Sequence, residues 1–127
     1  MSALLAPRLA GPSTPPAPAA APVRVAFVID RLTRAGTESQ LVALINHLDR
    51  SRVAPSLVLL DGDDDLSRAL EPDDCPVVRL GVRKLLSRGA VRAAARLRAL
   101  WRADRPDVVQ TYFQDSSYFG VPVAKAA

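Results

Sequence analysis

Cysteine and histidine are almost missing from this chain: Cys75 and His47 are the single examples of each. No disulfide can close within the chain, and no Cys/His cluster exists that would hold zinc. Cys75 reads as a small apolar residue at the start of a strand. No histidine neighbours it, so nothing in the sequence supports a nucleophilic role. Aromatic residues make up only 5% of the chain and are not interleaved with the arginines. That argues against a stacking platform for single-stranded nucleic acid. No apolar run approaches the length of a membrane-spanning helix. Two glycine-dependent phosphate sites are also excluded. The sequence has no Gly-x-Gly-x-x-Gly after a strand, and no Gly-Lys-Ser/Thr.

What is present fits one globular domain. Hydrophobic residues make up 49% of the 127 residues and charged residues 24%, the ordinary range for a packed protein. Seventeen Lys and Arg against thirteen Asp and Glu give a net charge of +4. This mild excess suits an anionic ligand, an anionic membrane surface or nucleic acid, and selects none of them. Residues 1–22 are dominated by alanine and proline. Proline withholds helix hydrogen bonds and alanine offers little to bury, so disorder is expected there. The apolar part of this segment is too short for a secretory signal, and Pro7 interrupts it. A cytoplasmic protein is therefore expected.

Order is expected from Val23. Residues 23–30, VRVAFVID, are apolar and β-branched and predict a strand buried on both faces. A short polar loop, residues 31–36, follows. Thr37 opens a helix with a stripe of Leu41, Leu44, Ile45 and Leu48, and Thr37 with Gln40 has the spacing of a capping box. Further strands are predicted over 53–60, 76–80 and 106–111, and helices over 66–70, 90–103 and from 116. The aspartates of residues 61–65 lack the spaced ligands of a calcium loop and read as a solvated turn. Alternation of this kind predicts a Rossmann-like α/β fold. Its parallel sheet has strand order 3-2-1-4, helices on both faces and right-handed crossovers.

In such sheets ligands bind beyond the carboxyl ends of the strands, at the switch point between the first and fourth. That rule selects two loops, residues 31–38 and 112–116, which between them offer Arg34, Gly36, Thr37, Glu38, Tyr112, Gln114, Asp115 and Ser116. Gly36 suits a positive φ or close approach to the backbone, unless a tight turn alone requires it. Thr37 and Glu38 also suit a cap and a dipole partner. Asp115 is the best general-base or hydroxyl-binding candidate. It is equally placed to cap the last helix, a role open to Ser116 and Ser117 as well. The arginines of residues 90–103 read as a solvated face rather than a membrane or nucleic-acid patch.

The strand VRVAFVID followed by AGTESQLVAL resembles the opening of group 1 (family 4) glycosyltransferases of GT-B fold. The stretch from VVRLGVRKLL through RPDVVQTYFQDSSYFG is similar to the rest of their N-terminal domain. The resemblance covers residues 23–127 and implies the acceptor-side domain of an enzyme that moves a sugar from a nucleotide-sugar donor to a hydroxyl acceptor, without a metal or other cofactor. Most donor contacts and a pair of glutamates would lie in a second domain, so the chain is expected to be a fragment, inactive alone. By resemblance Gly36 and Thr37 lie near the donor phosphates. The loop of Tyr112, Gln114 and Asp115 lies near the acceptor and the transferred sugar. Ala35 replaces the first glycine of the family's usual pair, and Gln110 and Tyr112 stand where many members carry His-x-His. Peripheral contact with an anionic membrane is compatible with this assignment; nucleic acid is not expected. The rival expectation is a stand-alone, non-catalytic α/β module that binds a partner.

The composition of residues 1–22 generates a first test. Limited proteolysis removes this segment without shifting the unfolding transition of the remainder; a drop in melting temperature on its removal would show that it packs on the domain.

Overall fold

Strand β1 (Val23–Ile29) lies inside a sheet of four strands, with β2 (Val53–Leu59) and β3 (Val77–Arg79) on one side and β4 (Val108–Thr111) on the other. The computed structural model describes residues 21–62 and 64–127. The disorder expected of the N-terminal segment therefore falls, up to residue 20, outside the described residues. The order is β3-β2-β1-β4 and every pairing is parallel, as the alternating pattern predicted. Parallel neighbours need crossovers, and helices supply them. These are α1 (Gly36–His47), α2 (Asp65–Ala69) and α3 (Arg88–Asp104), with α4 (Gln114–Ala126) after the last strand.

The side chains of β1 alternate between two cores. Ala26 and Val28 join Val58, Leu60, Leu97, Trp101, Phe119 and Val123 under α3 and α4. Phe27 and Ile29 join Leu41, Ile45, Leu57 and Leu59 under α1. Both sets are buried, which explains why the sequence runs apolar instead of alternating with polar residues. Helix α3 buries Ala90, Ala93, Leu97 and Trp101, spaced by three, four and four residues, the stripe that a 3.6-residue period gives. It is capped at its start by Ser87, whose hydroxyl accepts from the Ala90 N–H at 3.1 Å. It ends at Arg105, held at φ 50 just before Pro106, the left-handed exit common at helix ends.

The helices begin earlier than the apolar pattern alone places them, because the capping residues precede the apolar stripe. Helix α1 starts at Gly36 with Ala35 as N-cap and no side-chain cap. The expected Thr37–Gln40 capping box does not form. Thr33 does related work instead: its hydroxyl accepts from the Ala35 N–H at 3.1 Å and donates to Glu38 Oε1 at 3.2 Å. Leu44 is 47% exposed, so the buried stripe of α1 reduces to Leu41 and Ile45. Gly36 does not have the positive φ considered from sequence; those glycines are Gly62 and Gly81. Helix α4 starts at Gln114 after Phe113, which has φ 67 and provides no side-chain cap. None of Asp115, Ser116 and Ser117 is the N-cap. The acidic turn carries structure as well: Asp64 Oδ1 caps α2 by accepting from Ser67 N at 2.8 Å, and Asp64 Oδ2 pairs with Arg31 at 3.2 Å.

Two glycines give contrasting expectations. A Cβ at Gly120 would meet Thr111 Cγ2 at 3.1 Å and Val28 at 3.6 Å, because α4 crosses the sheet there. Gly120→Val should destabilise the domain by about 1–3 kcal/mol through overpacking. A Cβ at Gly36 meets nothing within 4 Å, so Gly36→Ala should leave the melting temperature unchanged or raise it. Thermal denaturation of both variants is the measurement, and equal effects would contradict the packing described.

Candidate functional site

Asp30 is the first charged residue after the buried span of β1, and it organises the crevice at the carboxyl end of the sheet. Its backbone carbonyl accepts from Asp61 N at 2.8 Å, joining the exits of β1 and β2. Its Oδ1 accepts from Ser116 Oγ at 2.5 Å, joining β1 to the first turn of α4. Ser116 is fully buried, so this charge-assisted bond is shielded from competing water. Thr111 and Ser117 share a second hydroxyl bond at 2.9 Å, and Ser117 Oγ donates to Phe113 O at 2.8 Å. The start of α4 is thus held by hydroxyls within its first turn rather than by an N-cap side chain.

These contacts shape a cavity of about 140 Å³ lined by Asp30, Arg31, Leu60, Asp61, Val82, Arg83, Leu85 and Asp115. Its wall comes from the exits of β1, β2 and β3 and from α4, which is where open parallel sheets place ligands. Three carboxylates and two guanidinium groups face an apolar floor. Carboxylates accept from sugar or acceptor hydroxyls, while guanidinium groups donate to phosphate or hydroxyl oxygens. Arg31 is already engaged by Asp64. Arg83 has no hydrogen bond or ion pair among the described residues.

The residues singled out from sequence separate into three places. Asp115 lines the cavity, exposed in the first turn of α4. Gly36 and Thr37 are exposed in the first turn of α1 and are not among the lining residues. The N–H groups there lack intrahelical acceptors, as at every helix start. Tyr112 packs on the α1 side of the sheet, with its ring centroid 6.5 Å from that of Phe27. Burial pushes the Tyr112 hydroxyl above its ordinary pKa, so it stays protonated, and it accepts from Gln110 Nε2 at 3.2 Å. Gln114 is exposed and donates to Tyr118 at 2.8 Å. Sequence reasoning missed Asp30 and Arg83. The available signal for Asp30 was an acid closing an otherwise apolar strand beside the switch point. Arg83 sits on the exit of β3, which the switch-point rule does not select.

Cys75 lies before β3, partly buried against the α1-side core. Burial pushes its thiol up to about 11, outweighing the opposing effect of Arg50. This is the opposite of an activated nucleophile. Among the described residues, no group of His, Cys, Asp and Glu is arranged to hold a metal ion, and no helix is long and apolar enough to cross a membrane.

The sheet order and the crevice beside its switch point define a Rossmann-like α/β domain. The family profile of the glycosyl transferase 4-like domain matches residues 35–127, and the chain belongs to that family. No curated protein and no solved structure matched the chain.

The Cys75 environment yields a pH prediction. The folded thiol has the higher pKa, so the unfolded chain ionises first. Stability contributed by the neutral thiol is therefore present below the ordinary thiol pKa of 9.0 and is lost as pH rises toward about 11. At about pH 8 the native thiol should be alkylated roughly a hundredfold more slowly than the same thiol in denaturant. Equal rates would place Cys75 in solvent.

Proposed function

We propose that this chain provides the acceptor-side domain of a GT-B glycosyltransferase that moves a hexosyl group from a nucleotide sugar to a hydroxyl acceptor. The synthesis of a glycan, polysaccharide or glycolipid in the cytoplasm is the process it fits. Membership of the glycosyl transferase 4-like family over residues 35–127 carries this reading. The crevice supports it. Asp115 stands at the carboxyl end of the sheet, within the same cavity as Asp30 and Asp61. A carboxylate there is suited to accept a hydrogen bond from the attacking hydroxyl, raising its nucleophilicity and orienting it. The free N–H groups of Gly36 and Thr37, at the positive end of α1, are suited to diphosphate oxygens. The open space before Gly36 lets such a group approach the backbone. Gln114, exposed beside Asp115 in the first turn of α4, suits the acceptor side as a hydrogen-bonding element, whereas Tyr112 packs on the α1 side of the sheet, away from that crevice. Asp30 acts indirectly, by fixing the α4 turn that carries Asp115.

The donor would be held mainly by a second, partner domain of the same enzyme. Calorimetric titration of this chain with UDP-, GDP- and ADP-sugars should accordingly show dissociation constants no tighter than about 1 mM; micromolar binding would move the donor site into this domain. In the complete enzyme, Asp115→Ala should lower kcat/KM by about a hundredfold. Its melting temperature should stay within about 2 °C, because an exposed carboxylate contributes little to folding. Full activity with lowered stability would reduce Asp115 to a dipole partner of α4.

A further inference from the structure

Strand β4 pairs with β1 on one side, and among the described residues no strand pairs with its other edge. Tyr112 N donates to Val28 O on the β1 side. Alternation along the strand then turns the N–H and C=O groups of Val109 and Thr111 to the open side. An unpaired edge of this kind is a template for another strand. At the start of β4 the edge borders a groove of about 330 Å³ lined by Pro106, Asp107, Val109, Val121, Ala124 and Lys125. Beyond its other end stands Phe113, 47% exposed and held at φ 67 and ψ 169, a conformation that only glycine adopts without strain.

These features select a second copy of this chain as the occupant. The groove and the exposed ring lie at opposite ends of one strand, so they cannot meet within one chain. In a two-fold pair the strands run antiparallel. Setting Val109 of each copy opposite Thr111 of the other pairs the outward groups, and the same register brings Phe113 opposite Asp107, at the groove. Helix α4 fits the same axis. Gln114, Tyr118, Val121 and Lys125 are exposed and spaced by four, three and four residues, which makes one stripe. Val121 and Lys125 line the groove, so the stripe looks to the open side. Its spacing is the same read from either end. Two antiparallel copies therefore set Tyr118 against Val121, and Gln114 against Lys125. The charges agree: Asp115 lies in the first turn of α4 and Lys125 in the last, so each end meets the opposite sign. Gln114 donates to Tyr118 Oη at 2.8 Å, which holds that ring in the stripe. Gly120 packs over Thr111, placing the middle of the stripe above the middle of the strand pairing.

We propose that two copies of this chain form a closed two-fold dimer through the outer edge of β4, with the sheet continuous through both copies, α4 packed on α4, and each Phe113 seated in the other copy's groove. The pairing uses both β4 edges, so association through them stops at two. The two crevices then open at opposite ends of the joined sheet. The inference stands independently of the transferase assignment, because it is read by mass and not by turnover.

Sedimentation velocity of the full chain over a concentration series is the experiment. A monomer–dimer equilibrium with a dissociation constant of about 10 µM is expected, with no larger species. Phe113→Gly removes the ring and relieves the backbone, so dimerisation should weaken about tenfold or more while the melting temperature of the dilute chain does not fall. Val121→Lys, at an exposed position, should weaken it about as much by placing an unpaired cation in the interface. Val91→Ser changes an exposed apolar residue of α3, away from the edge, and should leave it unchanged. Amide hydrogen exchange at Val109 and Thr111 should be slow in the concentrated chain and fast in concentrated Phe113→Gly. A chain still monomeric at about 100 µM would overturn the proposal. So would growth past the dimer, or fast exchange at both amides in the dimer. Association weakened as much by Val91→Ser as by Phe113→Gly would show general apolar clustering and overturn it too.

Discussion

Burial of β1 on both faces is the constraint from which the rest of this structure follows. Ala26 and Val28 are enclosed by α3 and α4, and Phe27 and Ile29 by α1, while β2 and β4 take its two hydrogen-bonding edges. A strand enclosed in this way has no position along its buried span where a charge is tolerated, because an unpaired ion there would lose its hydration without replacement. Polar chemistry is displaced to the strand end. Asp30 is the first residue where the enclosure opens, and its carboxylate is met at once by a buried hydroxyl from Ser116.

That single residue explains how the crevice holds its shape. The Asp30 carbonyl secures the exit of β2 through Asp61 N, and its carboxylate secures the first turn of α4. Asp115, next in the chain to Ser116, is carried into the crevice by that turn, with no hydrogen bond or ion pair of its side chain among the described residues. The arrangement leaves the Asp115 carboxylate facing the crevice while its neighbour Ser116 does the structural work. Both belong to the segment matched by the glycosyl transferase 4-like family.

The electrostatics on either side of the β3 exit differ sharply. Carboxylates from β1, β2 and α4 gather in the crevice, whereas the chain from Gly81 to Ala103, the following loop and all of α3 but its last residue, contains cations and no acid. The mild net charge of +4 conceals this separation. Arg83 stands at the boundary and contributes to both environments. Charge counted over a whole chain describes partners poorly when the fold sorts the signs to different places.

Strand and helix identity, their alternation and the order 3-2-1-4 were legible in the sequence, because each rests on local periodicity and on the handedness of parallel crossovers. So was the family, through residues that run in sequence from the first strand to the last. Helix starts were less legible: Ser87 and Asp64 precede the apolar stripes they serve, and Ala35 and Phe113 cap without using their side chains at all. The capping bond expected within α1 went to Thr33 and Glu38 because the loop folds back on the first turn. What only the tertiary structure decided is which polar residues meet. Asp30 and Ser116 are 86 positions apart and bond because β1 and β4 are neighbours, which sends the chain from β4 into α4 directly over the end of β1. Tyr112 and Asp115 are three positions apart and diverge to opposite faces of the sheet, because the chain passes from strand to helix between them. Local pattern reports which face of an element is apolar; only the packed sheet determines which side chains share the space beyond its edge.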